Sequence, residues 1–148
     1  QVLNPFTNMH FEYNVNSGDF SNAGFASSQV KKVLKQLNVD SVTIKRIVVA
    51  LYEAEVNIVV HSFGGTISVD ITSEDVKIVL KDNGPGIPDI SKAMQEGFST
   101  ASPQIREMGF GAGMGLPNIK KNADKLDIKS KVGEGTEVSI FVKLISNG

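Results

Sequence analysis

Hydrophobic and polar residues alternate in five short segments of the chain, and this alternation predicts five β-strands. The segments are residues 9–15, 66–72, 76–81, 127–132 and 136–144. In the first of them, Phe11, Tyr13 and Val15 alternate with polar neighbours. Short turns separate the second segment from the third and the fourth from the fifth, the latter turn containing Gly133 and Gly135. Each of these two pairs therefore predicts a hairpin.

Two long segments follow the helical repeat of hydrophobic residues instead. The first begins after a helix cap at Ser17 or Asp19 and runs to about Leu37. Its predicted buried stripe consists of Phe20, Val30, Val33, Leu34 and Leu37. The second covers residues 41–61 and is apolar around most of its circumference, which predicts a buried helix. Its β-branched residues would also suit a strand, but about twenty residues without a turn are too many for one strand.

Two shorter helices complete the pattern. Residues 89–96 predict one of them, and residues 116–126 predict another with Pro117 in its first turn. Hairpins combined with helices are typical of an α+β fold. We therefore expect a two-layer α/β sandwich, in which helices cover one face of an antiparallel or mixed sheet. A length of 148 residues suits one domain, which we place at residues 9–148 after a loose segment at residues 1–8.

Composition excludes several classes of function. The chain has 15 basic and 16 acidic residues and a formal net charge of −1, which disfavours partners such as nucleic acid or an anionic membrane. It has no cysteine, so disulfides, thiolate metal sites and thiol nucleophiles are excluded. No apolar run approaches the length of about 18 residues that a membrane-spanning helix needs. We therefore expect a cytoplasmic protein that binds neither nucleic acid nor membrane.

Polar residues on the second predicted helix share one face. Arg46, Glu53, Asn57 and His61 fall within about a quarter-turn of one another at 100° per residue, whereas Glu55 points to the opposite side. A carboxylate on so apolar a helix is costly unless it is paired or lines a wet cleft. Spacing alone leaves both interpretations open: a buried Glu53–Arg46 pair, or one wall of a functional site.

A cluster of glycines supports the second interpretation, one wall of a functional site. Gly109, Gly111, Gly113 and Gly115 occupy alternate positions directly before a predicted helix. Backbone N–H groups without neighbouring Cβ atoms can approach an anion closely, and the helix N-terminus adds its positive dipole end. The cluster therefore predicts a phosphate site. The common phosphate-binding motifs are absent: there is no P-loop, no G-x-G-x-x-G after a strand, and no eukaryotic kinase signature.

Four motifs in order resemble the sequence boxes of the GHKL superfamily, which comprises gyrase, heat-shock chaperones, histidine kinases and MutL. They are EAEVN at residues 53–57, DNGPGI at residues 82–87, the glycine run at residues 109–115 and GEGT at residues 133–136. The resemblance implies the Bergerat, histidine-kinase-like fold, with ATP and Mg²⁺ bound between the helices and the sheet. It also implies that Glu53 accepts a proton from the attacking hydroxyl group, and that Asn57 ligates Mg²⁺.

The remaining residues of the implied nucleotide site contact the base or the phosphates. Asp82 would accept a hydrogen bond from the adenine amino group, and Thr136 would help to close the adenine pocket. The other implied nucleotide-binding positions are Gly84, Gly86, Ile87, Gly111, Gly113, Gly115 and Leu116. Arg106 is the sole arginine of residues 97–115 and could reach the γ-phosphate, although a solvated loop charge is the alternative.

Within the superfamily the chain is most similar to the bacterial anti-sigma serine kinases of the RsbT, RsbW and SpoIIAB types. The similarity lies in GPGIPDI at residues 84–90 and GFST at residues 97–100. Residues 101–108 make the segment before the glycine run longer than expected for the RsbT type. We expect residues 97–115 to form a lid that closes over bound nucleotide.

This resemblance implies a serine/threonine protein kinase that phosphorylates a STAS-type anti-anti-sigma protein or a related scaffold. The alternative is an anti-sigma factor that binds a sigma factor according to its nucleotide state, since the same site serves both functions. A detached histidine-kinase catalytic domain is a third possibility, which the lack of a preceding helical hairpin with an acceptor histidine disfavours. A nucleotide sensor without catalysis is also open, although Glu53 and Asn57 together argue against it. Homodimerisation is implied by resemblance alone.

Overall fold

The structure, a computed structural model, describes residues 8–87, 89–95 and 115–144 of the chain. The strands in these ranges are Met9–Val15 (β1), Gly65–Ile71 (β2), Asp75–Asp82 (β3), Lys125–Lys131 (β4) and Gly135–Lys143 (β5). The helices are Phe25–Gln36 (α1), Ser41–His61 (α2), Ile90–Ala93 (α3) and Gly115–Asn122 (α4), preceded by a 3₁₀ turn at Phe20–Asn22.

The strands form one sheet in the order β1-β2-β3-β5-β4, and every neighbouring pair is antiparallel. Strand β3 lies at the centre, between β2 and β5. The two predicted hairpins are both present, as β2–β3 and β4–β5. Of the two predicted sheet types, antiparallel or mixed, the antiparallel one is correct for these strands.

Alternation along the strands gives the sheet one apolar face and one polar face. The apolar residues of the central strands are nearly inaccessible to solvent: Ile67, Val69, Ile71, Val76, Ile78, Leu80, Ile140 and Val142. They form one hydrophobic core with buried residues of α1, α2 and α4. The predicted α+β sandwich, with helices on one face of the sheet, is therefore confirmed.

Helix α2 runs through this core and has the predicted bounds. Its N-cap is Asp40, whose side chain accepts a hydrogen bond from the Thr43 N–H at 3.2 Å. Its C-terminal turn is followed by Ser62, whose Oγ donates to the Ile58 carbonyl at 2.7 Å. No helix in the described ranges has the length and hydropathy needed to cross a membrane.

Helix α1 begins later than predicted, because neither Ser17 nor Asp19 caps it. The Asp19 carboxylate instead accepts hydrogen bonds from Ser21 and Asn22 of the 3₁₀ turn. The N-cap of α1 is Gly24, which has a φ of 96° and no side chain to act as a cap. The missing acceptor comes from Glu55 of α2, which is only 2% exposed. Its two oxygens accept the backbone N–H groups of Ala26 and Ser27, at 3.1 and 3.2 Å.

Replacing Glu55 with glutamine should lower the free energy of unfolding by about 1–3 kcal/mol. The amide can accept only one of the two N–H groups, and its own NH₂ would face the other. The change also removes a negative charge from the positive end of the α1 dipole. Urea denaturation measures the loss, with the exposed Glu74→Gln as the control. If both variants are equally stable, Glu55 does not cap α1.

Two other helices also differ in their bounds from the predictions. The helix expected at residues 116–126 ends at Asn122, because Leu126 pairs with Ile140 and so belongs to β4. The short helix expected at residues 89–96 covers only Ile90–Ala93, capped by Asp89. Both differences show backbone pairing or capping overriding a hydrophobic pattern that suits more than one structure.

Candidate active site

The polar face of α2 lies against α4, as a series of contacts along the two helices shows. Arg46 Nη2 binds Asp124 Oδ1 at 3.1 Å, just beyond the C-terminus of α4. Farther along α2, Glu53 Oε1 accepts a hydrogen bond from Asn118 Nδ2 at 3.4 Å. The guanidinium of Arg46 is thus engaged by Asp124, so the interpretation of Glu53 and Arg46 as a buried pair is wrong.

Asp124 links the lower end of this helix pair to the sheet. Besides Arg46, its carboxylate accepts the backbone N–H of Lys143 at 2.7 Å. The Lys143 N–H bond, followed by the Arg46 guanidinium, lowers the pKa of the Asp124 carboxyl group. The carboxylate therefore stays ionised to a lower pH than an ordinary aspartate does, and when ionised it links Arg46 of α2 to Lys143 of β5.

Asn57 lies beside the N-terminus of α4. A Cβ atom added to Gly115 would lie 3.1 Å from Asn57 Oδ1 and 3.3 Å from Asn57 Nδ2. Glycine at this position therefore allows the first turn of α4 to approach the amide closely. The positive dipole end of α4 is next to a hard oxygen donor, an arrangement that suits an anion and a metal ion together.

Asp82, the last residue of β3, lies at the other end of the site. Its Oδ1 accepts backbone N–H groups from Gly84 at 2.8 Å and from Thr136 at 3.2 Å. Both hydrogen bonds end on Oδ1, and Oδ2 receives neither of them. The carboxylate is therefore fixed in orientation by two strands and a loop, while its second oxygen is free of these two bonds.

Glycines permit the loop at residues 83–87, here named the β3 loop, to pack tightly. A Cβ atom on Gly84 would lie 2.9 Å from Ser62 Cβ, beyond the end of α2. A Cβ atom on Gly86, whose φ is 82°, would overlap the Lys131 carbonyl oxygen at 2.5 Å. The loop is thus confined between the end of α2 and the β4–β5 hairpin. A side chain at either position would displace it.

Ser130 of β4 is a site residue that the motifs did not indicate. Its Oγ accepts the Ile87 N–H at 2.7 Å, and it lies 3.1 Å from the Gly135 carbonyl oxygen and 2.8 Å from Thr136 Oγ1. The sequence pattern could have indicated Ser130 as a site residue. Ser130 occupies an inward-facing position of β4, where the alternation otherwise places the apolar residues Leu126 and Ile128.

His61 ends the polar face of α2. Burial lowers the pKa of its imidazole, and the nearby Asp82 carboxylate acts against that shift. The ring is therefore neutral at pH 7. His61 directly precedes Ser62, which packs against Gly84, so the polar face of α2 reaches from Asp124 at one end to the β3 loop at the other.

Of the remaining predicted site residues, some lie at the hydrophobic core and others lie outside the described residues. Ile87 packs against the core, and Leu116 is itself a core residue with 9% exposure. Arg106, Gly111 and Gly113 lie outside the described residues, as does nearly all of the predicted lid at residues 97–115. The structure therefore brings together two groups: Glu53, Asn57 and Gly115 on the helices, and the residues around Asp82 on the sheet.

Comparison with known families decides what this arrangement belongs to. The family model described as histidine kinase-, DNA gyrase B-, and HSP90-like ATPase matches residues 42–146. The chain belongs to this ATPase family. The match extends from the first turn of α2 past the end of β5, so it includes both groups of site residues. The predicted superfamily is confirmed.

Two similar proteins indicate the group within this family to which the chain is related. The serine/threonine-protein kinase RsbT of Bacillus subtilis is 37% identical over 112 residues, which cover 73% of this chain and 78% of the relative. An anti-sigma F factor of Thermoanaerobacter is 34% identical over 122 residues, which cover 79% of this chain and 82% of the relative. This ATPase is therefore an ATP-dependent serine/threonine protein kinase of the anti-sigma regulatory type, as the motifs indicated.

Solved structures agree on the fold. A structure of RsbU and RsbW domains from Mycobacterium tuberculosis matches with a TM-score of 0.61 at 18% identity, over 95% of this chain. This chain spans 33% of the length of that one. The mycobacterial sensor histidine kinase MprB matches with a TM-score of 0.51 at 18% identity, covering 92% of this chain and 98% of that chain. At such identities the likeness concerns the fold alone.

Proposed function

We propose that this kinase transfers the γ-phosphoryl group of ATP to a serine or threonine hydroxyl of a STAS-type anti-anti-sigma protein. The observation that carries the proposal is the presence of two separate polar groups, one on the helices and one at the end of the sheet. The Glu53 and Asn57 group suits phosphoryl chemistry, and the Asp82 group suits recognition of a base. ATP is the substrate that needs both. A kinase that uses cellular ATP would act in the cytoplasm.

The adenine base is proposed to bind at the β3 loop. Asp82 Oδ2 would accept a hydrogen from the exocyclic amino group, since Oδ1 is taken by the N–H groups of Gly84 and Thr136. Gly84 and Gly86 keep the loop backbone close to its neighbours, so a flat ring can lie against it. A carboxylate at this position repels the carbonyl oxygen of guanine, which supports ATP rather than GTP as the substrate.

The phosphates are proposed to lie at the N-terminus of α4, with Mg²⁺ held by Asn57. The residues present fit a metal ion, because the Asn57 amide oxygen is a hard ligand beside a helix end that favours anions. Mg²⁺ would neutralise the charge that develops on the phosphate oxygens. The described residues contain no group of three or more His, Cys, Asp or Glu side chains that could hold a metal ion. Phosphate oxygens and water would supply the other ligands, since Mg²⁺ usually keeps several waters and binds substrate phosphates.

Glu53 is proposed as the general base. It lies one helical turn from Asn57, and its carboxylate is oriented by Asn118 at 3.4 Å. The substrate hydroxyl oxygen forms a bond to the γ-phosphorus as the bond to the β,γ-bridging oxygen breaks, and ADP leaves with the electron pair. The hydroxyl proton passes to the Glu53 carboxylate. Such a base typically contributes about 10²–10⁴-fold to the rate.

A second function is favoured by the anti-sigma F factors among the relatives. We propose that the chain also binds a sigma factor and that bound nucleotide selects between the two partners. A homodimer remains a proposal by resemblance. The likeness to a histidine kinase is one of fold alone and does not favour histidine phosphorylation.

The two functions can be separated by supplying each partner in turn. We expect label from [γ-³²P]ATP to appear on the STAS protein encoded nearest to this gene, and phosphoamino-acid analysis to find phosphoserine or phosphothreonine. Co-purification with sigma factors should be stronger with one of ATP and ADP than with the other. Absence of transfer to every STAS protein tested, together with nucleotide-dependent binding of a sigma factor, would leave sequestration as the function.

A further inference from the structure

Three polar residues form one row across the helix-facing side of the sheet. Asp82 of β3 pairs with Thr136 of β5, and Thr136 pairs with Ser130 of β4. Directly paired residues project to the same face, so the three side chains are neighbours. The next inward-facing pairs, Leu80 with Val138 and Val138 with Ile128, are apolar. The row therefore marks the boundary between the core and the site.

The Ser130 hydroxyl is surrounded by three hydrogen-bonding groups. A serine hydroxyl has one proton to donate and two lone pairs to accept with. The Ile87 N–H can only donate and the Gly135 carbonyl can only accept, so Ser130 accepts from the first at 2.7 Å and donates to the second at 3.1 Å. Its proton is then used. With this proton given to Gly135, the 2.8 Å contact with Thr136 Oγ1 takes its proton from Thr136, which is one of the two directions that the contact allows.

We infer that Ser130 is a specificity-determining residue that holds the Thr136 hydroxyl as a hydrogen-bond acceptor toward the purine. With its proton directed at Ser130, Thr136 Oγ1 presents only lone pairs to its other neighbours. Asp82, whose Oδ1 lies 3.2 Å from the Thr136 backbone nitrogen, is an acceptor as well. Toward the exocyclic group on C6 of the purine, the row thus offers two acceptors and no donor. It matches the amino group of adenine and opposes the carbonyl oxygen of guanine.

Ser130 has a second effect through the β3 loop. By accepting the Ile87 N–H it joins the end of this loop to β4, while Asp82 Oδ1 holds its beginning at Gly84. Gly133 N–H donates to the Pro85 carbonyl at 2.9 Å, which joins the middle of the loop to the β4–β5 turn. Loss of Ser130 would therefore weaken one of three attachments and leave the other two. Nucleotide affinity should fall without loss of the fold.

This inference rests on the proposed binding of adenine beside Asp82, and calorimetry with Mg²⁺–ATP and Mg²⁺–GTP tests it. In Ser130→Ala the Thr136 hydroxyl can turn and donate to guanine. We expect the dissociation constant for ATP to rise about tenfold and that for GTP to rise less. The dissociation constant for GTP divided by that for ATP, called the GTP-to-ATP ratio below, therefore falls several-fold. Ser130→Thr keeps the hydroxyl group and should restore the ratio. Ser139→Ala, a half-buried serine of β5 paired with Val79, is the control.

A double-mutant cycle separates selection of the purine from attachment of the loop. In a Thr136→Val background no hydroxyl remains to be oriented, so adding Ser130→Ala should not change the GTP-to-ATP ratio further. A ratio that is unchanged in Ser130→Ala, or that still falls in the Thr136→Val background, overturns the inference. If Ser130→Ala does not fold, Thr136→Val alone must still lower the ratio, because it removes the acceptor that opposes guanine, and an unchanged ratio there overturns the inference too.

The outcomes also distinguish this inference from the proposed function. A native protein that binds ATP and GTP equally, or neither of them, contradicts the placement of adenine beside Asp82. A native protein that prefers ATP, with a preference that Ser130→Ala leaves intact, contradicts only the role of Ser130.

Discussion

Glu53→Gln is expected to reduce phosphoryl transfer by about 10²–10⁴-fold while ATP affinity stays within about twofold of the native value. Glutamine has nearly the same volume and can still accept the hydrogen bond from Asn118, 3.4 Å away in the native chain. It cannot take a proton from the attacking hydroxyl group. Single-turnover transfer at saturating ATP measures the chemical step apart from binding and product release.

The same helix supplies a matched control in Glu55→Gln. Both changes remove one carboxylate, two positions apart on α2, but Glu55 faces α1 whereas Glu53 faces α4. We expect Glu53→Gln to lose transfer and keep its stability, and Glu55→Gln to lose stability and keep its transfer rate at saturating substrate. Equal transfer rates in native protein and Glu53→Gln would exclude Glu53 as the base. A large fall in stability in Glu53→Gln would make any loss of activity structural.

The opposite orientations of these two carboxylates follow from the sequence alone, since 100° per residue separates them on any straight helix. The fold class and the bounds of α2 are equally predictable, because a long apolar segment and the alternating strands each favour one structure. The motif boxes likewise indicated the ATPase family that the comparisons show. Features that repeat locally along the chain were therefore within reach of sequence analysis.

Features that depend on contacts between distant segments could not be predicted from the sequence. The start of α1 was misplaced because its cap comes from Glu55, about thirty residues later, and no local rule for capping anticipates that. Asp124 and Asn118 were missed as partners of the α2 face, because the register of α4 against α2 is a tertiary property. Ser130, in contrast, could have been predicted from the sequence. It is a polar residue at an inward-facing strand position, and its cross-strand neighbour belongs to a motif box.

Asp82→Asn tests the base-recognition end of the site, and we expect it to raise the dissociation constant for ATP about 10–100-fold. An asparagine can keep its oxygen at the Oδ1 position, where it still accepts the N–H groups of Gly84 and Thr136. The other atom changes from an acceptor to an NH₂ donor. The loop should therefore stay in place, while the group facing the adenine amino group changes from attractive to repulsive.

The sign of the effect on GTP distinguishes this reversal from simple damage. A guanine carbonyl opposes a carboxylate but can accept a hydrogen bond from an amide NH₂, so GTP should bind Asp82→Asn at least as well as it binds the native protein. A variant that merely loosened the β3 loop would lose affinity for both nucleotides. Asp127→Asn, an exposed position of β4, controls for the loss of one negative charge. Parallel losses for ATP and GTP in Asp82→Asn would mean that Asp82 holds the loop without contacting the base.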